Sequence, residues 1–122
     1  MPLQESGEMY LVTILSLSED GSPVRSLDIS KRMGYSRPSI SRAMRILKMD
    51  GYIDIDESGF ISLTEKGLEI ARTINERHIV LYEFLCSIGV DGKTADSDAC
   101  RIEHVISNKS FKALKKHVKK LK

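Results

Sequence analysis

Apolar positions along the chain fall first at helical spacing, then alternate, then return to helical spacing. Leu11, Ile14 and Leu15 within Glu8 to Ser18 predict a first helix, ended by Glu19-Asp20-Gly21-Ser22-Pro23. Ser26 is placed to cap a short second helix that runs to Met33 and stops at Gly34. Ser36 is placed to cap a third, with Pro38 in its first turn, where a missing N–H costs little. Ile40, Ala43, Met44 and Leu47 carry that helix to Asp50-Gly51. The period then drops to two. Tyr52-Ile53-Asp54-Ile55 and Phe60-Ile61-Ser62-Leu63 flank the turn sequence Asp56-Glu57-Ser58-Gly59, which predicts a β-hairpin. Thr64 then caps a long helix with Glu65 in its first turn and Gly67 tolerated there; Leu68, Ala71, Ile74, His78, Leu81 and Leu85 mark its face to about Ser87. After the turn Ile88 to Gly92, a helix is expected from about Thr94 to Ser107, and a last one with Phe111, Leu114, Val118 and Leu121 on one stripe.

Three helices followed by a hairpin is the order of a winged helix-turn-helix. The expected fold is mainly α with a small β-hairpin: a winged helix-turn-helix DNA-binding domain over residues 1–72, followed by a helical domain over residues 73–122. The third helix opens with Ser36, Arg37, Pro38, Ser39, Ser41 and Arg42. Arginine can pair bidentately with guanine, and serines can bond phosphates or base edges, so this end is read as the part that enters the major groove. With Arg45 and Arg25, these residues form the expected DNA-contacting set.

The charge distribution supports that reading. Net charge over 122 residues is only +2, yet Arg25, Lys31, Arg32, Arg37, Arg42, Arg45 and Lys48 face only Asp28 and Asp50 between Arg25 and Gly51. A local basic patch on a near-neutral protein is the footprint of nucleic-acid contact. The tail from Lys112 to Lys122 holds six Lys and no acid. A hydrophobic content of 41% suffices for a core, and no apolar run approaches a membrane span of roughly 18–20 residues. The N-terminus has no basic region followed by an apolar stretch, so a secretory signal is not expected and the protein is read as cytoplasmic. Two cysteines do not make a disulfide framework. Cys86 has apolar neighbours and reads as a small core residue; His117 reads as surface.

Cys100-Arg101-Ile102-Glu103-His104 is the segment richest in chemistry. On a helix, Cys100, Glu103 and His104 stand at i, i+3 and i+4 and share one face. A sulfur, a carboxylate and an imidazole suit a first-row transition metal better than Ca or Mg. An enzyme with Cys100 as nucleophile and His104 as base is not expected, because both lie on one helix without a third orienting group. A closed structural zinc site would ordinarily use four Cys or His ligands.

Several blocks together resemble the diphtheria toxin repressor family of metal-dependent transcriptional regulators, which includes iron- and manganese-dependent repressors. They are Glu8-Met9-Tyr10-Leu11, Ser36-Arg37-Pro38-Ser39-Ile40-Ser41, Leu63-Thr64-Glu65-Lys66-Gly67, and Asp98 through Ser107. The resemblance covers almost the whole chain and stops with the last helix, like the short manganese regulators and without the third, SH3-like domain of longer members. It implies a regulatory metal site of Met9, Cys100, Glu103 and His104, the iron-type set; the manganese-type pattern is mostly absent at Met9, Val12 and Cys100. It implies Fe(II) as co-regulator, with Mn(II), Co(II), Ni(II) or Zn(II) as other candidates, and a metal tying the first helix to the second domain. A second family site matches only at His78, since Tyr82 and Asp96 stand where a carboxylate and a histidine would; a rearranged pair of His78 with Asp96 or Glu83 is the remaining form. The implied function is a metal-activated repressor of metal-uptake genes that binds a two-fold operator as a homodimer. A metal-independent winged-helix regulator is the alternative.

Overall fold

The computed structural model describes residues 4–121, in six helices and one two-stranded antiparallel sheet. Two compact units divide between Arg72 and Thr73.

The first unit holds α1 (Glu5–Ser18), α2 (Ser26–Met33), α3 (Arg37–Met49), the hairpin strands β1 (Ile53–Ile55) and β2 (Ile61–Leu63), and the first turns of α4 (Glu65–Ser87). α1 starts at Glu5, earlier than its apolar periodicity begins, with Glu5 and Glu8 in the first turn, where acids are favourable. The cap of α2 differs from expectation. Ser26 is the first helical residue, and Arg25 is the N-cap. The Asp28 carboxylate accepts the Arg25 N–H at 2.8 Å, so an acid three residues into the helix does the work assigned to the serine. Gly34 ends α2 at φ 76°, a left-handed conformation that favours glycine. The Ser36 hydroxyl caps α3 by accepting the Ser39 N–H at 3.3 Å. Pro38 falls in the first turn of α3.

The hairpin pairs Ile53 with Leu63 and Ile55 with Ile61. Asp56 Oδ1 closes its turn by accepting N–H groups of Ser58 and Phe60, both at 2.9 Å. Ile61 also donates to the Val24 carbonyl at 2.7 Å, which ties the sheet edge to the segment before α2. Leu11, Ile14, Ile29, Ile40, Met44 and Ile53 are the fully buried centre of this unit.

Gly67 is required where the sequence reading only tolerated it. A Cβ there would run into the Tyr52 carbonyl oxygen, the same atom that accepts the Thr64 N–H at 3.1 Å. Gly67→Ala is therefore expected to destabilise the protein by about 1–3 kcal/mol through overpacking, although alanine is the better helix former by about 1 kcal/mol. Urea denaturation checks this, and a raised midpoint would contradict it.

The second unit holds the rest of α4, α5 (Gly92–Ile102) and α6 (Asn108–Lys120). Asp91 caps α5 by accepting the Thr94 N–H at 3.0 Å, and Ser107 caps α6 by accepting the Ser110 N–H at 3.1 Å. α5 ends at Ile102, short of the expected Ser107, because Glu103 is its C-cap and Ser107 already opens the next helix. Ile74, Leu81, Ala95, Ala99, Phe111 and Val118 are buried. Of the expected α6 stripe, Leu114 is half-buried and Leu121 is exposed. Cys86 is half-buried, beside the Tyr82 hydroxyl, and is not a core residue.

Candidate metal centre and nucleic-acid interface

α3 presents its polar residues as a surface. Ser36, Arg37, Pro38, Ser41, Arg42 and Arg45 are exposed, and Ser39 is half-buried. The Ser36 hydroxyl donates to Ser39 Oγ at 2.9 Å, and Arg42 Nη2 donates to the same atom at 3.4 Å. The first turn therefore holds Arg42 over Ser39 before any partner arrives. Arg25 stacks its guanidinium on the Phe60 ring, 4.4 Å from the centroid, joining the start of α2 to the hairpin. The basic-patch reading passed over Ile46 and Met49, which are 59% and 79% exposed and extend the face that Arg42 and Arg45 begin. Large apolar side chains left in water on such a helix suit contact with thymine methyl groups; the signal in the sequence was their place one turn beyond Arg42 and Arg45.

In the second unit the structure draws Asp96, His78, Glu103 and His104 into one chain of contacts. His78 Nε2 lies 2.9 Å from Asp96 Oδ1, and His78 Nδ1 lies 2.9 Å from Glu103 Oε2. His104 Nε2 lies 3.3 Å from Glu103 Oε1. A carboxylate only accepts, so both bonds to His78 require protons on both ring nitrogens or a carboxyl that keeps its own. Glu103 is 4% exposed, and the His104 side chain has no exposure at all. The face expected to carry the ligands is thus turned inward at Glu103 and His104. Burial raises the Glu103 pKa; the charges of His78 and His104 and the His78 hydrogen bond pull it down but do not cancel the rise.

Arg77 is the residue sequence reasoning missed here. Its Nη1 donates to the Glu103 and Ile106 carbonyls, each at 3.1 Å, and its Nη2 donates to Asn108 Oδ1 at 2.6 Å. One guanidinium thus pins the turn that carries Glu103 and His104. Nothing in the spacing of Arg77 announced this, since its partners lie 26 to 31 residues away.

The expected metal ligands are brought together only in part. Glu103 and His104 are adjacent, and Cys100 lies one turn earlier on α5, half-buried. Among the described residues, no three His, Cys, Asp or Glu side chains close on a common point. Met9 is half-buried on α1 of the first unit. Of the proposed second set, His78 meets Asp96, while Glu83 is half-buried on α4. The residues present fit a divalent metal on one edge. Glu103 Oε1 and His104 Nε2 lie 3.3 Å apart, close enough for both to hold one divalent metal. A cation there would also offset the cost of burying the Glu103 charge.

Comparison with known proteins agrees with both halves. Residues 2–59 match the model of the iron-dependent repressor N-terminal DNA-binding domain. Residues 64–122 match the iron-dependent repressor metal-binding and dimerisation domain. A helix-turn-helix-type transcriptional regulator of Methanocaldococcus jannaschii is 31% identical over 122 residues, covering 98% of each chain. The iron-dependent repressor of Mycobacterium tuberculosis is 34% identical over 107 residues, 86% of this chain and 46% of that one. The chain thus spans about half the length of that relative. In fold, it resembles the manganese regulator SloR with a TM-score of 0.83 and 24% identity, over 98% of this chain and 55% of that one.

Proposed function

The chain belongs to the iron-dependent repressor family, and from that premise we propose that it is a metal-activated repressor that binds operator DNA through α3 and senses metal through Cys100, Glu103 and His104. Met9 is the fourth ligand in this reading, on the strength of the family pattern. The observation that carries the proposal is the buried Glu103–His104 edge, 3.3 Å wide, in the unit that matches the metal-binding domain. Fe(II) is the metal that this donor set favours, with Co(II) and Ni(II) as substitutes. When bound, the metal supplies a positive charge that replaces protons on ligand atoms, so its binding depends on deprotonated Cys100 and neutral His104. Arg77 holds the Glu103 and Ile106 carbonyls, and His78 holds Glu103 Oε2 toward Asp96. Both position the ligand-bearing turn.

Metal can activate DNA binding only by favouring the DNA-competent state over the other by its differential affinity. A homodimer fits this reading. Ile79, Ile88, Val105 and Leu121 are exposed apolar residues of the second unit, whose family model is a dimerisation domain. Paired recognition helices would require an operator of two-fold character. Repression of metal-uptake genes, in the cytoplasm, is the role that corresponds to this reading. A duplex library selected anaerobically with Fe(II), and again with chelator, tests the reading. Enrichment with metal alone is expected, whereas equal enrichment with chelator would make this a metal-independent regulator.

Within the α3 surface, Arg42→Ala is expected to weaken operator binding by about 1–3 kcal/mol and to relax preference at the base pair Arg42 reads. Competition against single-base variants of the selected duplex checks both parts. Unchanged affinity for Arg42→Ala and Ser39→Ala alike would remove α3 from the reading role.

A further inference from the structure

We propose that α6 is a second DNA-binding element: its lysine face holds phosphates of duplex DNA independently of base reading by α3. The inference goes beyond the operator contacts of the first unit but rests on the chain being a DNA-binding protein.

From Asn108 to Lys122 the chain has no Asp or Glu and seven Lys. Lys109, Lys112, Lys116, Lys119 and Lys120 are all exposed. Lys109, Lys112, Lys116 and Lys119 succeed one another at steps of three and four residues, and Lys120 stands four beyond Lys116, so the five form one stripe roughly 16 Å long at 1.5 Å rise per residue. Among the described residues, Lys115 is the α6 lysine held in an ion pair, with Glu76 at 2.7 Å. The stripe itself faces water. Lys112 with Lys116, and Lys116 with Lys120, are like charges at helical-neighbour spacing, which disfavours the helix. The C-terminal helix dipole favours cations only in the last turn, at Lys119 and Lys120, and leaves Lys109, Lys112 and Lys116 without compensation. Packing of the opposite side holds the helix together instead, with Phe111 7% and Val118 5% exposed.

That packing selects the partner. An amphipathic helix that lies on a membrane needs a free apolar face, and here the two central apolar residues are already buried. A regularly spaced row of strongly hydrated point charges matches a regularly spaced row of phosphates and carries no base preference. Duplex DNA is the polyanion this family binds through its other domain.

The test uses the full chain, anaerobic Fe(II) and the selected operator duplex. Operator affinity is measured across salt concentrations for the wild type and for two quadruple variants at Lys112, Lys116, Lys119 and Lys120, all four changed to Gln or all four to Arg. Each lysine that holds a phosphate contributes about 0.9 to the slope of log affinity against log salt, so the Gln variant is expected to be shallower by about 2–4 per protomer. The Arg variant should keep the wild-type slope, and the ratio of operator to scrambled-duplex affinity should be unchanged in both. Equal slopes in the Gln variant and the wild type would overturn the proposal and leave a solvated face. Light scattering covers the other occupant: if the Gln variant loses self-association that the Arg variant retains, the stripe binds a second copy and the proposal is overturned. A wild type that binds no duplex under any metal condition would take the DNA-binding reading down with it; equal slopes on a bound operator would remove only this one.

Discussion

Glu103→Gln is expected to abolish metal-stimulated DNA binding, with a loss of metal response on the order of a hundredfold or more. The change keeps the size of the side chain and removes its negative charge. Glu103 is nearly fully buried, and burial already works against its ionised form. His78 and His104 are the neighbours that favour that form. A neutral amide is therefore tolerated by the surroundings but cannot supply the charge a divalent metal needs. The fold should survive, because the Gln oxygen can still accept from His78 across the 2.9 Å contact. His104→Ala should silence the metal response equally. It differs in stability, since emptying a fully buried ring position leaves a cavity, at a cost of about 1–3 kcal/mol. DNA binding with and without Fe(II), read beside thermal melts, separates these effects. Metal-stimulated binding that persists in both variants would remove the 103–104 edge from the sensor.

The first unit was legible because its signals are local. Ser36 before Pro38, the alternation on either side of Asp56-Gly59, and Thr64 before Glu65 each name a boundary that the fold keeps. The cap of α2 misled because two local solutions competed. Ser26 offered a hydroxyl, but Asp28 three residues past Arg25 reached back to the Arg25 N–H. Of the candidate metal site, the nearness of Glu103 and His104 was legible and their burial was not. Helical spacing placed Cys100, Glu103 and His104 on one face, and α5 ends inside that motif. Glu103 has partners at Arg77 and His78, 26 and 25 residues earlier in the chain, and no spacing rule reports a contact of that range. Gly67 shows the same limit. Its propensity argued for mild tolerance, while a carbonyl fifteen residues earlier makes any side chain there a collision.

Metal choice is where the sulfur ligands of the proposed site should show most strongly. With Met9 and Cys100 in the set, Fe(II) and Co(II) are expected to activate DNA binding at far lower concentration than Mn(II). Mn(II) stands at the bottom of the divalent affinity order and prefers oxygen donors. Met9 and Cys100 are both half-buried, so a ligand set that included them would leave less of the metal open to water. Met9→Asp with Cys100→Glu replaces a neutral thioether and a thiolate by two carboxylates. One further negative charge and two hard donors then favour Mn(II), so the order of activating metals should narrow or invert, by roughly tenfold to a hundredfold relative to the wild type. The single changes locate the effect: Cys100→Glu exchanges one anion for another and isolates softness, whereas Met9→Asp adds charge. Anaerobic calorimetry of the wild type, Cys100→Ala and the double variant with Fe(II) and Mn(II) reads the affinities directly. Equal preference for the two metals in all three proteins would mean that neither sulfur sets the selectivity, and that the Glu103–His104 edge senses divalent charge without regard to which ion carries it.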